Sequence, residues 1–402
     1  MKFVQKSVLV AISTVMLSSV AAVADSDVSH NWNAENEVAA MKVFRDKYEA
    51  LGGEWKETTF PDTEQSISST KTRIIGGKPP MALQSTLGGT MLEFAEGGLL
   101  QNMNDVAAND GWEEKLSPGL PAVAKYEGNY VAAPVFLDVI NWMYTNNEVL
   151  KSAGIDAPET FDDFIASLPV LQEKGFIPIA VGGQSWQEAI LFDHIILGVG
   201  GAELYDAVMS GDEGAVASPL MLKVFEQMGN LRQYTDEGKS GRSWNDTNTL
   251  MVSGKAAYFF MGPWAAGGYS DLGAEGGKWS CRVTPWSNGL TAVADGFQFI
   301  AVDSEDDKKA QALFAQAVMD KDTQIAAAKA KGTLPAVKGA KEEDFEGCPA
   351  KAVAAMQVRQ TVTHWNGRKA DIGNAVKDTV TAYWNSEMSA AAGHAALIAA
   401  MK

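Results

Sequence analysis

Short apolar runs alternate along this chain with longer stretches in which apolar residues return every three or four positions. Val131–Ile140 and Gly175–Val181 are apolar runs of strand length and predict buried strands. Glu35–Leu51, Ser218–Gly238 and Asp306–Ala330 carry the helical period and predict helices. Strands and helices interleaved in this way predict α/β layers, with sheets covered by helices on both faces. There is no internal repeat, no heptad seam, and no Gly/Ser- or Pro-rich linker, so any passage between domains runs on ordered segments.

One stretch is legible almost residue by residue. Tyr144–Phe164 reads YTNNEVLKSAGIDAPETFDDF: an Asn-rich turn, a short amphipathic helix, an Ala-Gly stop and a loop before a second helix. Gly154 can take the left-handed conformation that ends a helix, Pro158 cannot continue one, and Thr160 can cap the next.

The termini and composition narrow the class. Residues 1–24 have the layout of an export leader: Lys2 and Lys6, an apolar stretch from Val8 to Leu17, and Ala22-Val23-Ala24 before Asp25. The apolar stretch is too short to span a membrane, no later one is long enough, and no cysteine near the cleavage site offers a lipid attachment point. A soluble exported protein is expected. What remains of the 402 residues exceeds one ordinary core, so two lobes are expected on size alone. Losing the two leader lysines takes the formal charge from −17 to −19. That surface repels phosphate backbones, so nucleic acid and anionic membranes are poor partners, and no membrane insertion is expected. Export places Cys281 and Cys348 in an oxidising space, where one disulfide is expected to add about 4 kcal/mol in the chain-entropy model. Thiol catalysis is the weaker alternative, because neither cysteine sits near a His partner motif.

Four signposts follow in order. Gly77-Lys78-Pro79-Pro80-Met81-Ala82 precedes a strand, and Tyr126-Glu127-Gly128-Asn129-Tyr130 with Ala133-Pro134 forms a hairpin pattern. Gly254-Lys255-Ala256-Ala257 leads to Met261-Gly262-Pro263-Trp264, and Gly332-Thr333-Leu334-Pro335-Ala336 forms a late turn. Together with Tyr144–Phe164, these resemble the family 1 extracellular solute-binding proteins that deliver sugars to ABC transporters; Met81 replaces that family's usual Asp. The resemblance covers nearly the whole chain after the leader. It implies a two-lobed periplasmic binding protein fold, each lobe a β-sheet flanked by helices, with a hinge crossed about three times. Lobe I would comprise 25–136 with 295–333, and lobe II 137–294 with 334–402.

Within that family, Ser29-His30-Asn31-Trp32 with Glu37, the block Gly183-Gln184-x-Trp186-Gln187, the block Ser240-Gly241-Arg242-x-Trp244-Asn245 and the two cysteines resemble bacterial glucose-binding proteins. A sugar needs aromatic walls for its C–H faces and directed donors and acceptors for its hydroxyls. The resemblance implies Trp32 and Trp264 as walls, Trp244 as a further wall or as packing under its loop, and Glu37, Gln84, Asp295 and Lys331 as polar contacts. That family's His corresponds to His364 or Asn366, with His364 favoured. Ordinary roles compete at each position: a solvated first-turn Glu37, an Asp295-Gly296 turn, a Lys331 in water. For Trp186 core packing is the first reading, with a place at the cleft edge second. Two departures, Asn31 in place of a second Trp and no lysine in Gln84-Ser85-Thr86-Leu87, leave the particular sugar open.

Catalytic signatures are not found. There is no Gly-x-Ser-x-Gly elbow or His-Glu-x-x-His motif, and the four histidines lack metal-ligand spacing. No cofactor is expected. An exported glycoside hydrolase, which needs only two carboxylates, is the rival class, and a sugar sensor for chemotaxis is a second non-enzyme role. The resemblance implies a periplasmic monomer whose partners are a sugar and the membrane permease subunits of an ABC importer.

Overall fold

A computed structural model describes residues 25–402 apart from 267, 268, 270–276, 359, 360 and 365–369. Residues 1–24, the expected export leader, and Asn366 therefore lie outside the described residues. The strands are β1 (Asp25–His30), β2 (Glu54–Thr59), β3 (Ala82–Thr86), the short pair β4 (Lys125–Tyr126) and β5 (Asn129–Tyr130), β6 (Ala132–Val139), β7 (Trp142–Asn146), β8 (Ile177–Ala180), β9 (Ala256–Phe260), β10 (Trp279–Val283), β11 (Leu290–Phe299), β12 (Leu334–Pro335) and β13 (Thr361–Thr363). The helices that matter here are α1 (Glu35–Ala50), α2 (Thr63–Ile75), α3 (Gly89–Glu96), α4 (Asn147–Ala153), α5 (Phe161–Glu173), α6 (Ser185–Met209), α7 (Pro219–Leu231), α8 (Trp244–Val252), α9 (Glu305–Val318), α10 (Lys321–Lys331), α11 (Gly347–Val358) and α12 (Ala370–Trp384).

Two separate sheets organise these elements. The larger runs β12-β6-β11-β3-β1-β2, with β13 also on β11; the smaller runs β10-β7-β9-β8. In the larger sheet β1, β2 and β3 are parallel, while β11 is antiparallel to both β3 and β6. Phe44 of α1 and Phe314 of α9 pack with Phe136 and Phe297 on one face, and Leu83, Phe94 and Ile300 form a smaller cluster with Ile67 and Ile74 of α2 on the other. This is the two-lobed α/β architecture, each sheet flanked by helices.

The chain leaves the larger sheet at the end of β6 and enters the smaller at β7, then returns from β10 to β11. Asn141 knots these passages. Its side chain donates to Ser287 Oγ at 3.0 Å and Gly289 O at 2.9 Å and accepts from Thr291 N–H at 2.9 Å, so a residue fully cut off from water is satisfied on every side.

The strand runs and the Glu35 helix lie where the pattern placed them. Gly154 is left-handed (φ 75°, ψ 31°) and ends α4; Thr160 caps α5, accepting from Asp163 N–H at 3.1 Å while Asp163 accepts from Thr160 N–H at 2.9 Å. Three expectations need correction. The Asn-rich turn is the end of β7, with Asn146 capping α4. The Asp306–Ala330 period is two helices, because Asp320 caps a new start by accepting from Thr323 N–H at 3.0 Å. The Ser218 helix stops at Leu231 and continues as short 3-10 turns. The expected disulfide joins Cys281 to Cys348, with Cα atoms 5.9 Å apart, and ties α11 to edge strand β10.

Candidate ligand cleft

A cavity of about 720 Å³ lies between the two sheets. All of Trp32, Glu37, Gln84, Trp244, Trp264, Asp295, Lys331 and His364 line it. They come from distant elements: Trp32 and Glu37 from the β1–α1 turn and α1, Gln84 from β3, Asp295 from β11, Lys331 from the end of α10, Trp244 from the start of α8, Trp264 from the turn after β9, and His364 just after β13.

Lys331 is the electrostatic centre. It is only 3% exposed, and its Nζ lies 3.5 Å from Asp138 Oδ2 and 3.3 Å from Asp295 Oδ2. The same ammonium sits 4.8 Å from the Trp32 ring and 5.8 Å from the Trp264 ring. Burial disfavours its charge, yet Asp138, Asp295 and Glu37 together hold its pKa above the ordinary lysine value. Burial pushes the Asp138 carboxyl up, with Asp295 adding to the shift and Lys331 opposing it. Asp138 also accepts a hydrogen bond from the Thr333 hydroxyl, and Asp295 accepts one from Thr86 Oγ1 at 3.1 Å. The last two links tie β6 and β11 to the loop after α10 and to β3. Asp295 sits in β11 at a register shift before Gly296 rather than in a turn, so the bulge, not an Asp-Gly turn, aims it.

Glu37 has a structural duty. Its Oε2 accepts from Asn33 N–H at 3.1 Å and Ala34 N–H at 3.0 Å, closing the start of α1. Burial raises its pKa; Lys331 and these two N–H groups oppose the rise. Next to it, Asn36 donates to Trp264 O at 2.9 Å and Lys331 O at 2.6 Å, pinning the aromatic turn and the lysine to α1. Gly262 precedes that turn because a Cβ there would run into the Trp264 ring.

Trp32 is 3% exposed and packs on Phe136 (5.3 Å between centroids) and Phe297 (5.9 Å), so it is a core residue with an edge in the cavity wall. Gln84 is buried, and no donor among the described residues reaches its Oε1. His364 is buried with Nε2 2.7 Å from Asp193 Oδ2. Behind it, His194 Nδ1 donates to Ile190 O (2.7 Å), and burial pulls its pKa down to about 4, so it is neutral at ordinary pH.

Sequence reasoning missed Asp138, which sits inside an apolar strand with no motif around it. It also set Trp186 first in the core; that residue packs against the core and lines the cavity as well. Trp186 and Trp244 stand in the first turns of α6 and α8. Gln184 joins those turns, accepting from Trp244 N–H at 3.2 Å and Gln187 Nε2 at 2.8 Å, while Gly183 N–H donates to Arg242 O at 3.0 Å. These contacts explain why the two sequence blocks occur together.

Two α/β lobes around a deep cleft of aromatic rings and paired charges define a binding protein of the type that encloses a small polar solute. The chain belongs to the bacterial extracellular solute-binding protein family, whose model matches residues 33–344. A "probable sugar-binding periplasmic protein" of Rhizobium meliloti (strain 1021) is 32% identical over 405 residues, covering 98% of this chain and 97% of that one. A protein of the same description from Brucella melitensis biotype 1 is 33% identical over 374 residues, covering 90% and 88%. Among solved structures, a chitin oligosaccharide binding protein superposes with a TM-score of 0.80 at 18% identity, over 94% of this chain and 98% of that one, which speaks to the fold alone. The family is one of transporter binding proteins, and this chain is a binding protein rather than an enzyme.

Proposed function

We propose that this chain is an exported, monomeric carrier that captures a sugar, glucose or a related small saccharide, in the periplasm and hands it to the permease subunits of an ABC importer. The observation that carries the reading is the convergence of Trp32, Trp264 and Trp244 with Lys331, Asp138, Asp295 and His364 on one cleft. Trp264 and Trp244, half-buried, offer faces to sugar C–H groups and Trp32 an edge; the buried lysine donates and the carboxylates accept, as hydroxyls require. The sugar-binding descriptions of the relatives support it.

The lobes in this reading are 25–136 with 295–333 and 137–294 with 334–402. Asp138, Asp295 and Lys331 then stand at the three passages between them, so a ligand that bridges these groups favours the closed arrangement. Affinity comes from stacking, hydrogen bonds and exclusion of water, with no bond made or broken.

Tryptophan fluorescence titration of the leader-free protein tests the reading, since four tryptophans line the cleft. Saturable change with a hexose or small saccharide, and none with amino acids, is expected. Saturation by amino acids alone would overturn it. Deleting the gene and losing sugar uptake separates transport from a purely sensory role.

A further inference from the structure

The cleft continues well beyond Lys331. One wall is the beginning of α6, where Trp186 and Ile190 line the cavity and Asp193, one turn on, holds His364. From Trp186 to Ile190 this wall covers about 6 Å of helix axis at about 1.5 Å per residue, and His364, held by the buried Asp193, lines the cavity as well. The volume of about 720 Å³ would hold roughly two dozen waters at ~30 Å³ each, about twice the heavy atoms of one hexose.

The aromatic rings fall into two sets. Trp32 and Trp264 flank the Lys331 ammonium. Trp186 and Trp244 are half-buried, stand on the joined first turns of α6 and α8, and have Gln184, Ser243 and Asn245 beside them in the cavity wall. Asn248, one turn into α8, donates to Ala265 O at 3.1 Å, so the second set lies directly alongside the Trp264 turn. Asn31, a small polar residue, also lines the cavity. A polar-edged second aromatic wall next to the first is what a second ring requires.

We propose that the cleft takes a saccharide of two rings, the inner ring against Trp264 beside Lys331 and the outer ring on Trp186 and Trp244. This inference rests on the sugar reading above. Titration calorimetry of the leader-free protein with D-glucose, D-galactose, maltose, cellobiose and lactose tests it. One of the disaccharides binds about tenfold or more tightly than either hexose, as expected for one added ring contact. Trp186→Leu removes most of that gain and leaves hexose binding within about twofold. Should that variant fail to fold, Asn245→Ala, at an exposed position in the wall, gives the same readout. A hexose that binds as tightly as every disaccharide, or variants that weaken hexose and disaccharide equally, overturns the second ring while leaving the sugar carrier intact. Binding of none of the five removes the sugar reading and this inference with it.

Discussion

A lysine with 3% exposure keeps its charge only where carboxylates replace the water it has lost, and Lys331 has two within 3.5 Å. Lys331→Met leaves Asp138 and Asp295 facing each other without a cation. We expect a loss of about 3–5 kcal/mol in urea unfolding, the usual result of breaking a buried pair from one side. Glu37 gives the opposite kind of result. Burial is the main cause of its raised pKa, so its contribution to stability is present below the ordinary carboxylate range and is lost as pH rises through the raised value. Glu37→Gln, which keeps an acceptor for the Asn33 and Ala34 N–H groups, is therefore expected to raise the melting temperature at pH 8. The gain should disappear when melting is repeated in the acidic range; a variant less stable at pH 8 and equal at acidic pH would contradict the sign. The place of Trp264, Asp295 and Lys331 in the cleft was legible in the sequence because each sits in or beside a short Gly-containing motif. Asp138 was not, since its meaning comes from a lysine far along the chain, and an Asp in the run Val135–Ile140 looks like a strand-edge residue.

At the scale of elements, local chemistry was readable where a cap or stop announced itself, as at Gly154 and Thr160. It failed where the hydrophobic period ran straight through a boundary. Leu313, Phe314, Ala317 and Val318 of α9 continue in phase into the alanines of α10, and only Asp320 marks the break. Asp320 accepts from both Thr323 N–H and Thr323 Oγ1 and lies 3.3 Å from Lys47 of α1. Asp320→Ala should cost about 1 kcal/mol in denaturant unfolding, the usual value of an N-cap. Little change would mean that packing of α10 on α1, not the cap, sets the boundary. The disulfide acts on the same scale. Replacing Cys281 and Cys348 together with Ala is expected to cost about 4 kcal/mol, given the 67-residue separation, and to loosen α11 from β10.

Across the whole molecule, the alternation of strands and helices made the layered class legible and the signposts made the two lobes legible, but contacts between lobes were invisible to it. One such contact lies at the cleft mouth, where Lys377 of α12 reaches 3.7 Å from Glu64 of α2, and both residues line the cavity. Neither residue belongs to a motif, and the pair exists because α12 packs on α3 and so reaches α2. Partly exposed, it is a weak tie. Lys377→Gln should weaken ligand binding about threefold at low salt, mainly through faster release, with the difference fading as salt is added. Equal affinity at all salt concentrations would show that the tie has no part in closure. The most direct test of the central claim is thermal unfolding of the protein without residues 1–24, with and without hexoses and disaccharides. A ligand held only by the folded state stabilises by RT ln(1 + [L]/Kd), about 2.7 kcal/mol at a hundredfold excess over Kd, so at least one saccharide is expected to raise the melting temperature by several degrees in wild type and far less in Lys331→Met. A melting temperature that no saccharide moves would contradict the account.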